Sequence, residues 1–201
     1  MEKRLVIFGC GGHARSVLDV LHKNGEFEEI SLVDENAGVY EKIMGHSVVK
    51  DYEWQYADLL FPAFGNNKKR EDIMKAYGKG KFVTIISQNS YLGESVSWGC
   101  GTFVACGAHL GPDVKIGAGC IINTGSIIEH ESKIGDYVHV APGSTVCGRS
   151  RIGNRVMLGA GSIVVDKVSI GDDVVIGAGG VVIHDIIQPG TYVGVPVHRV
   201  G

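Results

Sequence analysis

The sequence predicts an α/β domain over residues 1–83, followed by an all-β prism of stacked short strands over residues 84–201. Three observations carry that prediction. Glycine makes up 30 of 201 residues and proline only 5, against a usual glycine share of about 7%, so the backbone must turn tightly and often. From Ile86 to Val182 the chain reads in sixes without a gap. Ahead of that run, strand-like and helix-like stretches alternate.

Composition bounds the reading. Hydrophobic residues are 44% and charged residues 20%, enough to bury a core and too apolar for disorder. A net charge of -3 and the lack of a long basic run argue against nucleic-acid or membrane-surface partners. The apolar runs are too short for a membrane-spanning helix, and the stretch after Met1-Glu2-Lys3-Arg4 is too short for a secretory leader. The expectation is a cytoplasmic protein whose 5 cysteines, with no CxxC pair, are reduced thiols.

The N-terminal elements follow in order. Arg4-Leu-Val-Ile-Phe-Gly9 reads as a buried strand, and Gly9-Cys-Gly-Gly-His13 as a glycine-rich turn. Residues 14–23 have helical spacing, with Val17, Leu18, Val20 and Leu21 apolar. A second strand over 30–34 ends in Asp34, a later one spans 58–65, a helix follows over 70–77, and 81–85 leads into the prism. This order predicts a small Rossmann-like βαβ sheet. The turn is GxGGH, so it departs from the dinucleotide fingerprint at the third glycine. A helix N-terminus behind it still offers N–H groups to a phosphate, and Asp34 can hold a ribose or base edge. The competing reading is a turn that only permits close packing.

In the prism, first positions are aliphatic except Trp98: Ile86, Leu92, Val104, Leu110 and so on to Val182. Second positions are mostly Gly or Ala and are expected to serve the corners. Fifth positions are small or β-branched and point inward with the first. Ser126, Ser144 and Ser162 fall there, so they are expected to be structural, not nucleophiles. Such a run resembles the hexapeptide-repeat acyltransferases. The resemblance implies a left-handed parallel β-helix with three hexads, or eighteen residues, per coil.

One hexad breaks the pattern. In Ile128-Glu-His-Glu-Ser-Lys133 the second position is Glu129, and His130 and Glu131 occupy the outward third and fourth positions. A histidine beside a carboxylate forms a general-base pair; the alternative is a solvated surface histidine. With eighteen residues per coil, Gly148 lies one coil beneath His130, where its N–H can serve an oxyanion. His139 stands at an outward sixth position.

Val6-Ile-Phe-Gly-Cys-Gly-Gly-His-Ala-Arg15, Gly65-Asn-Asn67 and Asn123-Thr-Gly-Ser-Ile-Ile-Glu-His-Glu131 with His139 are together similar to one family over nearly the whole chain. It comprises the bacterial sugar-nucleotide N-acetyltransferases of the bacillosamine and perosamine type, with related sialic acid O-acetyltransferases. The resemblance implies that His130 is the catalytic base and Glu131 the acid that raises its basicity. It implies that His139 and Gly148 lie near the acetyl group and pantetheine of acetyl-CoA, and that Ala160 and Ala178 line the coenzyme groove. Gly11, Gly12 and His13 match the turn holding the nucleotide sugar, Asp34 and Glu35 its base-binding acids, and Gly65 with Asn66 the neighbouring loop. Gly11 departs from the serine common in relatives. Family members are homotrimers with sites between prisms, and no metal is implied.

The implied reaction is direct acetyl transfer to a sugar amine, with no acyl-enzyme because no exposed Ser or Cys neighbours the base. The alternative is O-acetylation of sialic acid or a similar hydroxyl. Two other classes are a metal-dependent lyase using His109, His130 and His139, and a non-catalytic scaffold. Neither explains the His-Glu pair in the broken hexad.

Overall fold

Leu5, Val6, Ile7 and Phe8 are all buried in β1 (Arg4–Phe8), as befits an inner strand of a parallel sheet covered on both faces. The computed structural model describes residues 4–38, 41–50, 52 and 59–200. Strands β2 (Glu29–Val33) and β5 (Leu59–Pro62) flank β1 in parallel. Beyond β2 lie β4 (His46–Val49) and, antiparallel at the edge, β3 (Lys42–Ile43). That hairpin was not read from the sequence. Its turn is Met44-Gly45, both at positive φ, and lacks the usual Asn-Gly signal.

Both helices start earlier than expected. Helix α1 (Gly12–Asn24) takes in Gly12 and His13, and it stops where Gly25 adopts a left-handed φ of 68°. Helix α2 (Asn67–Tyr77) begins at an Asn66 cap whose Oδ1 accepts the Lys69 N–H at 2.9 Å. The strand expected over 58–65 is shorter, and residue 58 lies outside the described residues. The 81–85 approach is a 3-10 turn (Lys79–Lys81) followed by one bridge, Phe82 to Leu60.

The prism is a left-handed parallel β-helix. Its strands run from β6 (Ile85–Ile86) to β22 (Val181–Val182) and sit on the sixth and first hexad positions. Ile122 pairs with Val104 on one side and Val140 on the other, eighteen residues each way. Three sheets result. Sheet 1 holds β6, β9 (Phe103–Val104), β12 (Ile121–Ile122), β15 (His139–Val140), β18 (Met157–Leu158) and β21 (Val174–Ile176), sheet 2 runs from β7 (Tyr91–Leu92) to β22, and sheet 3 from β8 (Ser97–Trp98) to β20 (Ser169–Ile170). First and fifth positions fill the interior, the serines included; Ser144 Oγ donates to Gly159 O at 2.7 Å. Trp98 is exposed because β8 is the edge strand of sheet 3. After Val182 the chain leaves the hexad. β23 (Gly190–Gly194) joins β21, and β24 (Val197–Val200) closes sheet 1 antiparallel.

The second-position glycines do not make the corners. The left-handed residues are at the fourth position, among them Asp113, Glu131, Tyr137 and Arg149 at φ near 60°. Glycine at the second position instead admits the next coil. At the corner from sheet 3 to sheet 1 these are Gly99, Gly117, Gly135, Gly153 and Gly171. A Cβ on Gly117 would stand 2.5 Å from Asp136 Oδ1 and 2.6 Å from the Gly135 carbonyl carbon. The crowding has a cause: Asp136 accepts the Ala118 N–H, Asn154 the Asp136 N–H and Asp172 the Asn154 N–H, at 2.8–2.9 Å. Gly117→Ala is therefore expected to cost about 1–3 kcal/mol as an overpacking change, read as a lowered unfolding midpoint.

The N-terminal domain covers the outer face of sheet 1. The outward residues Ile85, Phe103 and Ile121 are buried there with Val17, Leu21 and Phe61, each worth about 1.5–3 kcal/mol of burial. Among the described residues no helix is long and apolar enough to cross a membrane. All five cysteines are free, and Cys120 points inward as expected.

Candidate active site

At the corner between sheets 2 and 3 the chain leaves β13 (Ile127–Ile128) and presents His130, then Glu131 in the left-handed conformation. That turn swings the Glu131 carboxylate back to its neighbour, with Oε2 3.0 Å from His130 Nδ1. A carboxylate only accepts, so Nδ1 carries the proton and Nε2 is left with a lone pair. The two side chains are 41% and 55% exposed. One coil on, Gly148 backs the ring: a Cβ there would lie 2.6 Å from both Cε1 and Nε2 of His130. The Gly148 N–H has no hydrogen-bond acceptor among the described residues, unlike the N–H ladder at the other corner.

Sequence reasoning missed three neighbours. Asp166, a further eighteen residues along, receives Arg149 Nη2 on both oxygens at 3.1 Å; the coil period itself pointed to it. A groove of about 430 Å³ beside Glu131 is lined by Asp113, Lys115, Lys133, Arg149 and Arg151 and is net positive. Cys147 is half-buried next to Gly148 in the chain. Burial, then Glu129 and Asp166, push that thiol's pKa up, which leaves it a poor nucleophile.

His139 is not part of this cluster. It stands on the outer face of sheet 1, against the N-terminal domain, and both its nitrogens are occupied. Nδ1 is 3.4 Å from Gly65 O, and Nε2 is 3.2 Å from Asn123 Nδ2. With these partners among the described residues, it has no donor left for an oxyanion near Gly148. His109, on sheet 2, stacks on Tyr91, so the three histidines of the lyase reading lie on three different parts of the prism. Ala160 and Ala178 are exposed at the corner between sheets 1 and 2, across sheet 2 from Gly148.

The N-terminal candidates form two groups. Asp34 closes the glycine turn, taking the Cys10 N–H at 3.1 Å and the Asn36 N–H at 3.0 Å. Burial pushes its pKa up, but these hydrogen bonds outweigh burial and the net shift is downward. Asp34 and Glu35 line a cleft of about 500 Å³ with Phe8, Lys50, Phe64 and Tyr77. Gly11 and Gly12 face open space, so the close-packing reading fails for them. Only Gly9, at φ 95° with Phe64 2.9 Å from a would-be Cβ, needs to be glycine. Their N–H groups sit at the start of α1, which has no side-chain cap.

His13 and His139 meet instead at the seam between the domains, around Arg70. His13 packs edge-on against Phe103 with ring centroids 5.1 Å apart, and its Nε2 is closed off without a partner. Burial, then Arg70 and His139, push its pKa down to about 3. Burial, then Arg70, push that of His139 down to about 4, against the Gly65 hydrogen bond. Unfolding returns both to ordinary histidines near ~6.5, so the unfolded chain binds more protons in between. Stability is therefore whole above that value and falls as pH drops toward 4, by up to about 1.4 kcal/mol per pH unit per histidine. His139→Gln should flatten the slope of unfolding free energy against pH between 6.5 and 4.5.

Residues 4–77 match the family model PglD N-terminal domain, and residues 149–184 match bacterial transferase hexapeptide (six repeats). A search of curated proteins finds no match. Among solved structures, the chain is similar to a variant of perosamine N-acetyltransferase from Caulobacter crescentus in complex with CoA and GDP-perosamine. That match has 32% identity over 98% of this chain and 96% of that one, with a TM-score of 0.91. The acetyltransferase domain of PglB from Neisseria gonorrhoeae, in complex with acetyl coenzyme A, matches at 25% identity over 100% of both chains, with a TM-score of 0.91.

Proposed function

The chain belongs to the hexapeptide-repeat sugar-nucleotide N-acetyltransferases of the bacillosamine and perosamine type, and from that premise we propose that it transfers the acetyl group of acetyl-CoA to the amine of a nucleotide-linked 4-amino-4,6-dideoxy sugar carried on UDP or GDP. The observation that carries the reading is the outward His130–Glu131 pair seated on Gly148.

His130 Nε2 takes the proton of the amine as its nitrogen bonds to the thioester carbon. Glu131 holds the Nδ1–H tautomer and stabilises the imidazolium. The Gly148 N–H donates to the carbonyl oxygen as it gains charge, a contribution of about 3–4 kcal/mol for such a donor. The C–S bond then breaks, and the imidazolium proton leaves with the coenzyme thiol. No metal enters this step. The small corners at Ala160 and Ala178 leave backbone open to the pantetheine. The Lys115–Lys133–Arg149–Arg151 groove suits the coenzyme's phosphates. The Asp34–Glu35 cleft takes the nucleotide, with its diphosphate toward Gly11, Gly12 and the start of α1.

The cleft and His130 belong to different sides of one protomer. A sugar held by one chain therefore meets the His130 of a neighbour, which favours a homotrimer with sites between prisms. Dependence on acetyl-CoA favours the cytoplasm.

The test is thiol release from acetyl-CoA with UDP- and GDP-linked 4-amino sugars and free sialic acid as acceptors. Turnover on an amino-sugar nucleotide is the expected result and identifies the carrier. Turnover on sialic acid alone would move the enzyme to O-acetylation, with His130 deprotonating a hydroxyl.

A further inference from the structure

Arg70 is 1% exposed and has no carboxylate partner among the described residues. Its guanidinium instead collects oxygens from both domains. Nε donates to Gly119 O at 2.8 Å, Nη1 to Phe64 O at 2.9 Å and Gly65 O at 3.1 Å, and Nη2 to Asn67 Oδ1 at 2.7 Å and Tyr137 O at 3.1 Å. Asn67 passes the grip on, donating to Arg155 O and Val156 O of the next coil. A buried fork with fixed donors suits this task as a lysine would not.

The Gly65 carbonyl is shared: it also faces His139 Nδ1. The tautomer of that ring follows from its partners. Asn123 Oδ1 accepts the Thr124 N–H at 2.8 Å, which turns the amide nitrogen toward His139 Nε2. An amide nitrogen only donates and a carbonyl only accepts. Nε2 is therefore the acceptor and Nδ1 the donor, and an imidazolium would set two donors against each other.

We propose that Arg70 is a positioning residue for the acceptor: with His139 it clamps the Gly65 carbonyl from two sides, and the clamp works only with His139 as the neutral, Nδ1-protonated tautomer. The clamped segment leads into Asn66 and the start of α2, so its placement sets where the acceptor sits. That consequence rests on the proposed role of the Gly65–Asn66 loop. The groups facing His139 are Arg70 on α2, His13 on α1 and the uncharged Asn123; its ladder neighbours in sheet 1 are Ile121 and Met157. Arg70, the charged group among them, opposes protonation, and only the Gly65 carbonyl works the other way.

The test has two arms. Nitrogen-15 NMR of histidine-labelled protein, with His139 assigned by its loss in His139→Gln, reads the tautomer whatever the substrate is. The expected spectrum shows Nδ1–H and no titration from pH 8 to 5.5. An Nε2–H tautomer, or a charged ring at pH 7, overturns the proposal. In the kinetic arm, Arg70→Lys keeps the charge without the fork. It is expected to raise the acceptor KM about tenfold while the acetyl-CoA KM and kcat stay within about twofold. Equal rises in both KM values would also overturn it. Absence of turnover on every acceptor would count against the proposed reaction, while the NMR arm would still decide the clamp. Arg70→Met removes the charge, and its His139 midpoint should move upward toward the ordinary value if the variant folds.

Discussion

His130→Ala is expected to lower kcat/KM on the amino-sugar nucleotide by about 10²–10⁴, the span of a positioned general base. Assembly and melting temperature should be unchanged, because the side chain is 41% exposed at a corner whose backbone bonds do not involve the ring. The loss should appear in kcat more than in either KM, since the ring acts on a proton in flight. Glu131 allows a finer test. It pays backbone strain at φ 60°, where glycine is at ease, so Glu131→Gly should be at least as stable as the parent and yet slower. A residue that loses activity while relieving strain is held for chemistry. Turnover that survives His130→Ala would remove the base assignment and leave the pair a surface ion contact.

Much of this was legible because each hexad position has one environment. First and fifth positions face a dry interior eighteen residues apart, so aliphatics and small hydroxyls recur there and the fold follows. His130 and Glu131 stood out because Glu129 takes the place of the usual small second residue and a histidine beside a carboxylate follows it at outward positions. For His139, an outward sixth position says only that the side chain leaves the prism. What it meets depends on which sheet the N-terminal domain covers, a long-range fact with no local signal. Arg70 hid in Asn66-Asn67-Lys68-Lys69-Arg70, which reads as a solvated helix start. Its burial comes from the carbonyls of Gly119 and Tyr137, some fifty to seventy positions away. The second-position glycines were assigned the right residue type for the wrong reason, since period alone cannot separate a left-handed corner from a coil that needs room.

Gly148→Ala is expected to cost about 10²-fold in turnover, the scale of an ångström-level misplacement of a catalytic group, with the fold intact. The third hexad position holds alanine without difficulty at Ala118, Ala160 and Ala178, and Gly148 is not among the left-handed glycines. The new methyl therefore meets no backbone objection. It meets the His130 ring, at 2.6 Å from Cε1 and Nε2, and a half-exposed ring yields by swinging outward, away from Glu131. The backbone N–H of residue 148 survives the substitution, so the loss reports position of the base and not removal of the oxyanion donor. The double variant separates the two. If Gly148 acts by seating His130, Gly148→Ala should add nothing in a His130→Ala background, a full departure from additivity. If the two losses multiply, residue 148 contributes on its own, and the oxyanion contact, not the seat, is what an alanine disturbs.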